Sequence, residues 1–457
     1  MLHARHVLAL LMVAGTSPVL AQADLPIRDT TLANGLQVIV IENHAVPLVT
    51  VELDVKNGAY TQSPEYEGLA HLYEHMFFKA NRAIPSQERY LQRLRQLGAS
   101  WNGTTSEERV NYFATVGTDS MLPTMQFMRE AVRYPLFQQD ELVRERPVVT
   151  GEFDRNEANP YFHLFRGTDT ILWSPAYWSH KNVIGNRAVI LGTPQAKMRE
   201  IQNRYYIPNN TALVRAGDVS PAQGFRAAVE YFGDWPRGAD PFATPIPDPP
   251  PLAKTRAVVV TQPVKGAAVA LQFQGPSVTR DPASTYAADV LSTILNKRAS
   301  RFSKRLVDSG IAFEASISYY TLSHVGPISV FLQTTPEHVI DAERAALEEI
   351  SHFADSTYVS QQELTDAQKE LGIQTLYERE QSTNWAHTIG FWWAVAGLDY
   401  YRNYVPNMQR VTRGDLARYA KTYLQGKPYV VGVLLSPEAK QQTGLTAESL
   451  LPKELVP

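Results

Sequence analysis

Gly68-Leu69-Ala70-His71-Leu72-Tyr73-Glu74-His75-Met76-Phe77-Phe78 is an apolar run interrupted by three ionisable residues in the pattern H-x-x-E-H. On a helix, His71 and His75 lie one turn apart on one face, so two imidazoles can share one metal ion. Glu74 falls on the same side, badly placed as a third ligand but within reach of a metal-bound water. Zinc lowers the pKa of such a water to about 7, and a neighbouring carboxylate can take its proton. The alternative is an amphipathic helix whose histidines are merely hydrogen-bonded. Three ionisable groups in an apolar helix need compensation, and a metal supplies it. The stretch therefore points to metal-assisted hydrolysis.

Such a site needs a third protein ligand and an open position for water. Glu145 and Glu152 are candidates, seven residues or two helical turns apart. Pro147 and Gly151 lie between them and can kink or start a helix, so by itself the stretch reads as an ordinary acidic surface helix. With these residues in hand, the chain resembles the pitrilysin/insulinase peptidases, which include the mitochondrial processing peptidase, and whose pattern is H-x-x-E-H followed well downstream by E-x6-E. The resemblance implies that His71, His75 and Glu152 are zinc ligands. It also implies that Glu74 is the general base and that Glu145 orients a ligand from behind.

Other stretches carry the same likeness. Thr31-Leu32-Ala33-Asn34-Gly35-Leu36-Gln37-Val38 resembles the family's opening hairpin, with Asn34-Gly35 as its turn. Gly98-Ala99-Ser100-Trp101-Asn102-Gly103-Thr104-Thr105 is similar to the exposed edge strand on which a substrate peptide adds as a further strand. By that resemblance Asn102 and Gly103 bind substrate; without it, Asn-Gly reads as a turn. Ser179-His180-Lys181-Asn182-Val183-Ile184-Gly185 and Tyr206-Ile207-Pro208-Asn209-Asn210 also look like family landmarks.

The 457 residues, 44% of them hydrophobic, suffice for two or more filled domains. A net charge of −3 gives no sign of a nucleic-acid partner. The chain has no cysteine, which excludes disulfides, thiolate ligands and cysteine nucleophiles. Residues 1–23 read as a secretory signal: Arg5 precedes the apolar run Val7–Ala14, with small residues near Ala21 and Ala23. The expectation is a secreted, periplasmic protein without a membrane span in its mature form.

Residues 24–235 alternate strand-like and helix-like runs. Residues 236–255 hold a cluster of prolines, including Pro249-Pro250-Pro251, and read as an extended linker. Residues 256–457 repeat the first half in outline, with a similar late run offset by about 217 residues. At the position of the metal helix the second copy reads Ala288-Asp289-Val290-Leu291-Ser292, with no ligand set. The expected fold is α+β: two homologous halves joined by the linker and, by resemblance, enclosing a chamber.

The chain departs from the family at one place. Self-sufficient members carry an arginine and a tyrosine, seven residues apart, that reach the substrate carbonyl. Alignment on Gly310 puts Leu306 and Phe313 at those positions, with Arg305 one residue off, about 100° around a helix. Phe313 has no hydroxyl to donate, and losing one oxyanion donor costs roughly 10²–10³ in rate. The expectation is a zinc-dependent endopeptidase acting on peptides or unfolded segments as the zinc-bearing subunit of a heterodimer, its homologous partner supplying the second half-site. The alternatives are substitution by Arg305 with Tyr319 or Tyr320, and a non-catalytic scaffold subunit.

Overall fold

The computed structural model describes residues 25–451; the signal segment read at residues 1–23 lies outside them. Among the described residues eleven strands form two sheets. The first comprises β1 (Ile27–Thr31), β2 (Gln37–Glu42), β3 (Leu48–Val55), β4 (Ser100–Thr105), β5 (Val110–Gly117) and β6 (Thr211–Gly217), in the order β1-β2-β6-β3-β5-β4. The second comprises β7 (Arg256–Thr261), β8 (Ala267–Gln274), β9 (Glu314–Tyr319), β10 (Pro327–Thr334) and β11 (Val430–Leu435), in the order β7-β11-β8-β10-β9. Each sheet has one parallel pair, β2 with β6 and β7 with β11, among antiparallel neighbours. Apart from β1, the second order repeats the first strand for strand. Between Phe232 and Arg256 there is no helix or strand, yet the segment is not a loose tether. Phe242 stacks on Tyr60 at 5.7 Å, and Gln274 Nε2 donates to the Pro250 carbonyl at 3.0 Å.

Six helices matter for the site and its support: α1 (Leu69–Phe77), α2 (Gln139–Glu157), α3 (Pro160–Leu172), α4 (Pro282–Leu295), α5 (Gln361–Tyr377) and α6 (Ser382–Val395). Strand alternation sorts the first sheet into two faces. Val49, Val51, Leu53 and Val55 of β3 join Leu72 and Met76 of α1 in one core. Ile39 and Ile41 of β2 and Val214 of β6 pack on the opposite face against Trp385, Ile389 and Trp393 of α6. The second sheet mirrors this exchange: Ala268, Ala270 and Leu434 pack against Leu164 of α3. A helix of each half thus covers the sheet of the other. The fit is close, since a Cβ at Gly432 would lie 2.2 Å from Thr168 Cγ2.

Beneath α6 the first sheet buries charge. Glu52 accepts from Asn111 Nδ2 at 2.6 Å and lies 2.6 Å from His387 Nδ1. Asp54 pairs with Arg109 at 3.2 Å, and Arg109 also donates to the His387 carbonyl at 2.7 Å. Burial and the nearby Glu52 charge push the Asp54 carboxyl well above its ordinary range. No helix of the described residues is long and apolar enough to cross a membrane.

Candidate active site and family membership

Helix α1 starts at Gly68, whose φ of 90° is open to glycine and strained for other residues. Its first amides are capped from outside, because Gln62 Oε1 accepts from the amides of Gly68 and Ala70 at 3.0 and 3.1 Å. One face of α1 buries Leu69, Leu72, Tyr73, Met76 and Phe77, with Tyr73 stacked on Tyr206 and Phe77 on Tyr112. The remaining stripe carries His71, Glu74 and His75, half-buried, toward an open pocket.

Helix α2 supplies the carboxylates and runs unbroken through Pro147 and Gly151, so the break these residues suggested does not occur. Leu142, Glu145, Val149 and Phe153 are buried on both sides of Pro147. Their packing holds the helix together although proline removes one ladder hydrogen bond. Glu145 and Glu152 consequently share a helix face toward α1.

His71 Nε2, His75 Nε2 and Glu152 Oε2 converge. The two nitrogens are 3.2 Å apart, and the carboxylate oxygen lies 3.3 Å from His71 and 3.7 Å from His75. Ligands at about 2.05 Å in a tetrahedral shell are separated by roughly 3.3 Å, so the donor set fits zinc in type and spacing. Among the described residues this is the one group of three or more His, Cys, Asp or Glu side chains so disposed.

Glu145 stands behind His75. His75 Nδ1–H donates to Glu145 Oε1 at 2.8 Å, which directs Nε2 to the ligand position, and Lys79 pairs with the other Glu145 oxygen. Burial alone would raise the Glu145 carboxyl; hydrogen bonds from His75 and Lys79 outweigh it and hold it below the usual range. His71 differs, as its buried Nδ1 has no hydrogen-bond partner among the described residues. The hydrogen bond with His71 sets Glu152 below the usual carboxylate range against the opposing effect of burial.

For His75, burial pulls the imidazole down, while the Glu145 hydrogen bond and the Glu152 and Glu74 charges push it up, leaving it above the ordinary histidine value. Zinc takes only neutral imidazole, so a proton bound at His75 competes with the metal. Affinity should therefore plateau above the histidine pKa and fall below it, by about tenfold or more between pH 7.5 and 5.5. Competition with a fluorescent chelator across that range checks this; a flat profile contradicts it.

The pocket at this cluster is lined by residues 71–184 alone, among them Gly103, Thr104, Thr105, Asn156, Val183 and Ile184. β4 forms its rim as the edge strand, paired on one side with β5. Gly103 faces α1 so closely that a Cβ there would lie 3.0 Å from Glu74 Cγ. Asn102 is exposed at the edge, and by strand alternation its side chain points away from α1. Thr105 and Lys79, which touch Glu74 and Glu145, had no role in the sequence reading. Both were within reach of simple spacing, Thr105 two residues along the strand from Gly103 and Lys79 four beyond His75.

The residues named as local substitutes for the missing arginine and tyrosine lie away from the His71–Glu152 pocket. Arg305 pairs with Glu348 at 3.0 Å, and Phe313 is 67% exposed. Tyr319 donates its hydroxyl to the Pro276 carbonyl at 3.0 Å. Neither these residues nor Tyr320 line the pocket at His71, Glu74 and Glu152.

Residues 37–174, which hold α1, α2 and α3, match the insulinase domain of peptidase family M16. Residues 195–371 match the M16 inactive domain, in keeping with a second half that lacks the ligands. The chain belongs to the insulinase (M16) peptidase family. It is 26% identical to human insulin-degrading enzyme over 214 residues, 45% of this chain and 21% of that protein. It is 26% identical to the zinc protease PqqE of Helicobacter pylori over 299 residues, 63% of this chain and 65% of PqqE. The chain thus spans less than two thirds of either relative. The periplasmic protease PqqL of Escherichia coli has the same fold, with a TM-score of 0.77 and 16% identity, matched over 95% of this chain but 51% of PqqL.

Proposed function

We propose that this chain is the metal-bearing half of a zinc-dependent endopeptidase that cleaves peptides or unfolded segments. The observation that carries the reading is a carboxylate, Glu74, set one residue from a ligand within a His–His–Glu set of tetrahedral spacing. A structural zinc site ordinarily has four protein ligands and no free acid beside them. His71, His75 and Glu152 would hold the zinc, and Glu145 with Lys79 fixes the His75 ring. Zinc, when bound, supplies a Lewis acid that acidifies water and polarises a carbonyl. The Glu74 carboxylate takes a proton from the attacking water and returns it to the departing amine nitrogen. A substrate segment pairs with the open edge of β4 through main-chain hydrogen bonds, and an open edge at Asn102 and Gly103 suits an extended peptide.

The second half-site is proposed to come from a homologous subunit. Two features support this: the pocket takes nothing from residues 256–451, and PqqL is matched over only half its length. Hydrolysis of quenched fluorogenic peptides by the zinc-loaded chain, alone and mixed with a homologue that retains the arginine–tyrosine pair, tests the proposal. Activity should rise at least tenfold on mixing, vanish with chelator and return with zinc. Absence of hydrolysis under both conditions, from folded zinc-loaded protein, would overturn it.

A further inference from the structure

Glu74 is held from the edge strand as well as from its own helix. Its Cγ rests against Gly103, and its Oε2 accepts a hydrogen bond from Thr105 Oγ1 at 2.7 Å. Thr105 occupies the last position of β4, on the α1 side of the strand, and is itself half-buried. Among the described residues Glu74 Oε1 has no donor. The carboxylate is thereby fixed by one oxygen while the other is left open. A carboxylate on a three-bond stem otherwise samples several rotamers, and a misplacement of about 1 Å in a reacting group can cost 10² in rate.

We propose that Thr105 is the positioning residue for the base, clamping Glu74 Oε2 so that Oε1 faces the reacting atoms. The clamp sits on β4, the strand proposed above to take the peptide, at its last residue. This rests on the peptidase reading above, so its test separates the two and does not require turnover.

The zinc-loaded chain is titrated calorimetrically with a peptide hydroxamate, whose zinc-binding group also hydrogen-bonds the base, and with the same peptide lacking that group. Thr105→Val should weaken the hydroxamate about tenfold, the loss of one hydrogen bond to a charged group, and leave the plain peptide within about twofold. Thr105→Ser, which restores the hydroxyl, should return the hydroxamate to within about threefold of the parent. Glu74→Ala, as the reference for losing the base, should weaken the hydroxamate at least as much as Thr105→Val. If Glu74→Ala weakens the hydroxamate and Thr105→Val does not, the role of Thr105 is overturned and the peptidase reading stands. Equal weakening of both ligands by Thr105→Val also overturns it, because the residue then serves only the shape of the strand. If the parent chain shows no zinc-dependent hydroxamate binding, the peptidase reading falls and takes this inference with it.

Discussion

Glu74→Gln should leave zinc bound and abolish hydrolysis, lowering kcat by about 10²–10⁴. The substitution is nearly isosteric. The glutamine stem keeps its contact with Gly103, and its carbonyl can still accept from Thr105 Oγ1. The ligand atoms of His71, His75 and Glu152 are untouched, as is the Glu145–Lys79 pair behind them. What the amide loses is the capacity to take a proton at neutral pH. Zinc affinity should therefore stay within about threefold of the parent, since the altered residue is neither a ligand nor a partner of one. Chelator competition together with kcat on one peptide, in whichever assembly is active, checks both halves of the expectation. A kcat within tenfold of the parent would remove Glu74 from the chemistry.

The largest expected effect on stability lies on the other face of the same sheet. A Cβ added at Gly390 of α6 would lie 2.2 and 2.3 Å from the two Asp54 carboxylate oxygens. Asp54 is fully buried, sits on β3 between the paired strands β5 and β6 and pairs with Arg109, so neither the strand nor the carboxylate can give way cheaply. Gly390→Val should therefore cost about 3 kcal/mol or more, through overpacking and disruption of a buried ion pair. Gly372 of α5 offers the contrast. It is also helical, but a Cβ there meets nothing within 4 Å. Gly372→Ala should stabilise the protein by about 0.5–1 kcal/mol through the helix preference for alanine. Urea unfolding of both variants reads the difference as opposite shifts of the midpoint. A Gly390→Val midpoint equal to that of the parent would mean that α6 can lift off β3 at no cost.

Short-range features of this molecule were open to a reading of the residues. Helical spacing across residues 66–80 sets His71 and His75 on one stripe, and the β-branched, hydrophobic run Leu48–Val55 marks a strand that the structure places at those residues. The polar residues interleaved in that run mislead about what covers the strand. Thr50, Glu52 and Asp54 look like a solvent-facing row, yet all are buried, with Arg109 and Asn111 at the neighbouring strand and Thr383 and His387 of α6 as their polar partners. Nothing in a local pattern announces a partner more than three hundred residues away. Trp385, Ile389 and Trp393 mark α6 as a helix with an apolar side without saying which sheet it covers. Pro147 is the reverse case: a local rule left a kink open, and the helix runs on through tertiary packing around Glu145 and Val149.

The exchange of helices between the sheets has a consequence for chain integrity. α3 belongs in sequence to the first half and rests on the second sheet, while α6 does the opposite. A single proteolytic cut within residues 236–255 would leave each fragment holding a helix that the other needs. Isolated, the first fragment would bare Ile39, Ile41 and Val214, and the second would bare Ala268, Ala270 and Leu434. The nicked protein should therefore persist as a two-fragment complex that co-elutes at the mass of the intact chain, and fragments made separately should be insoluble until they are refolded together.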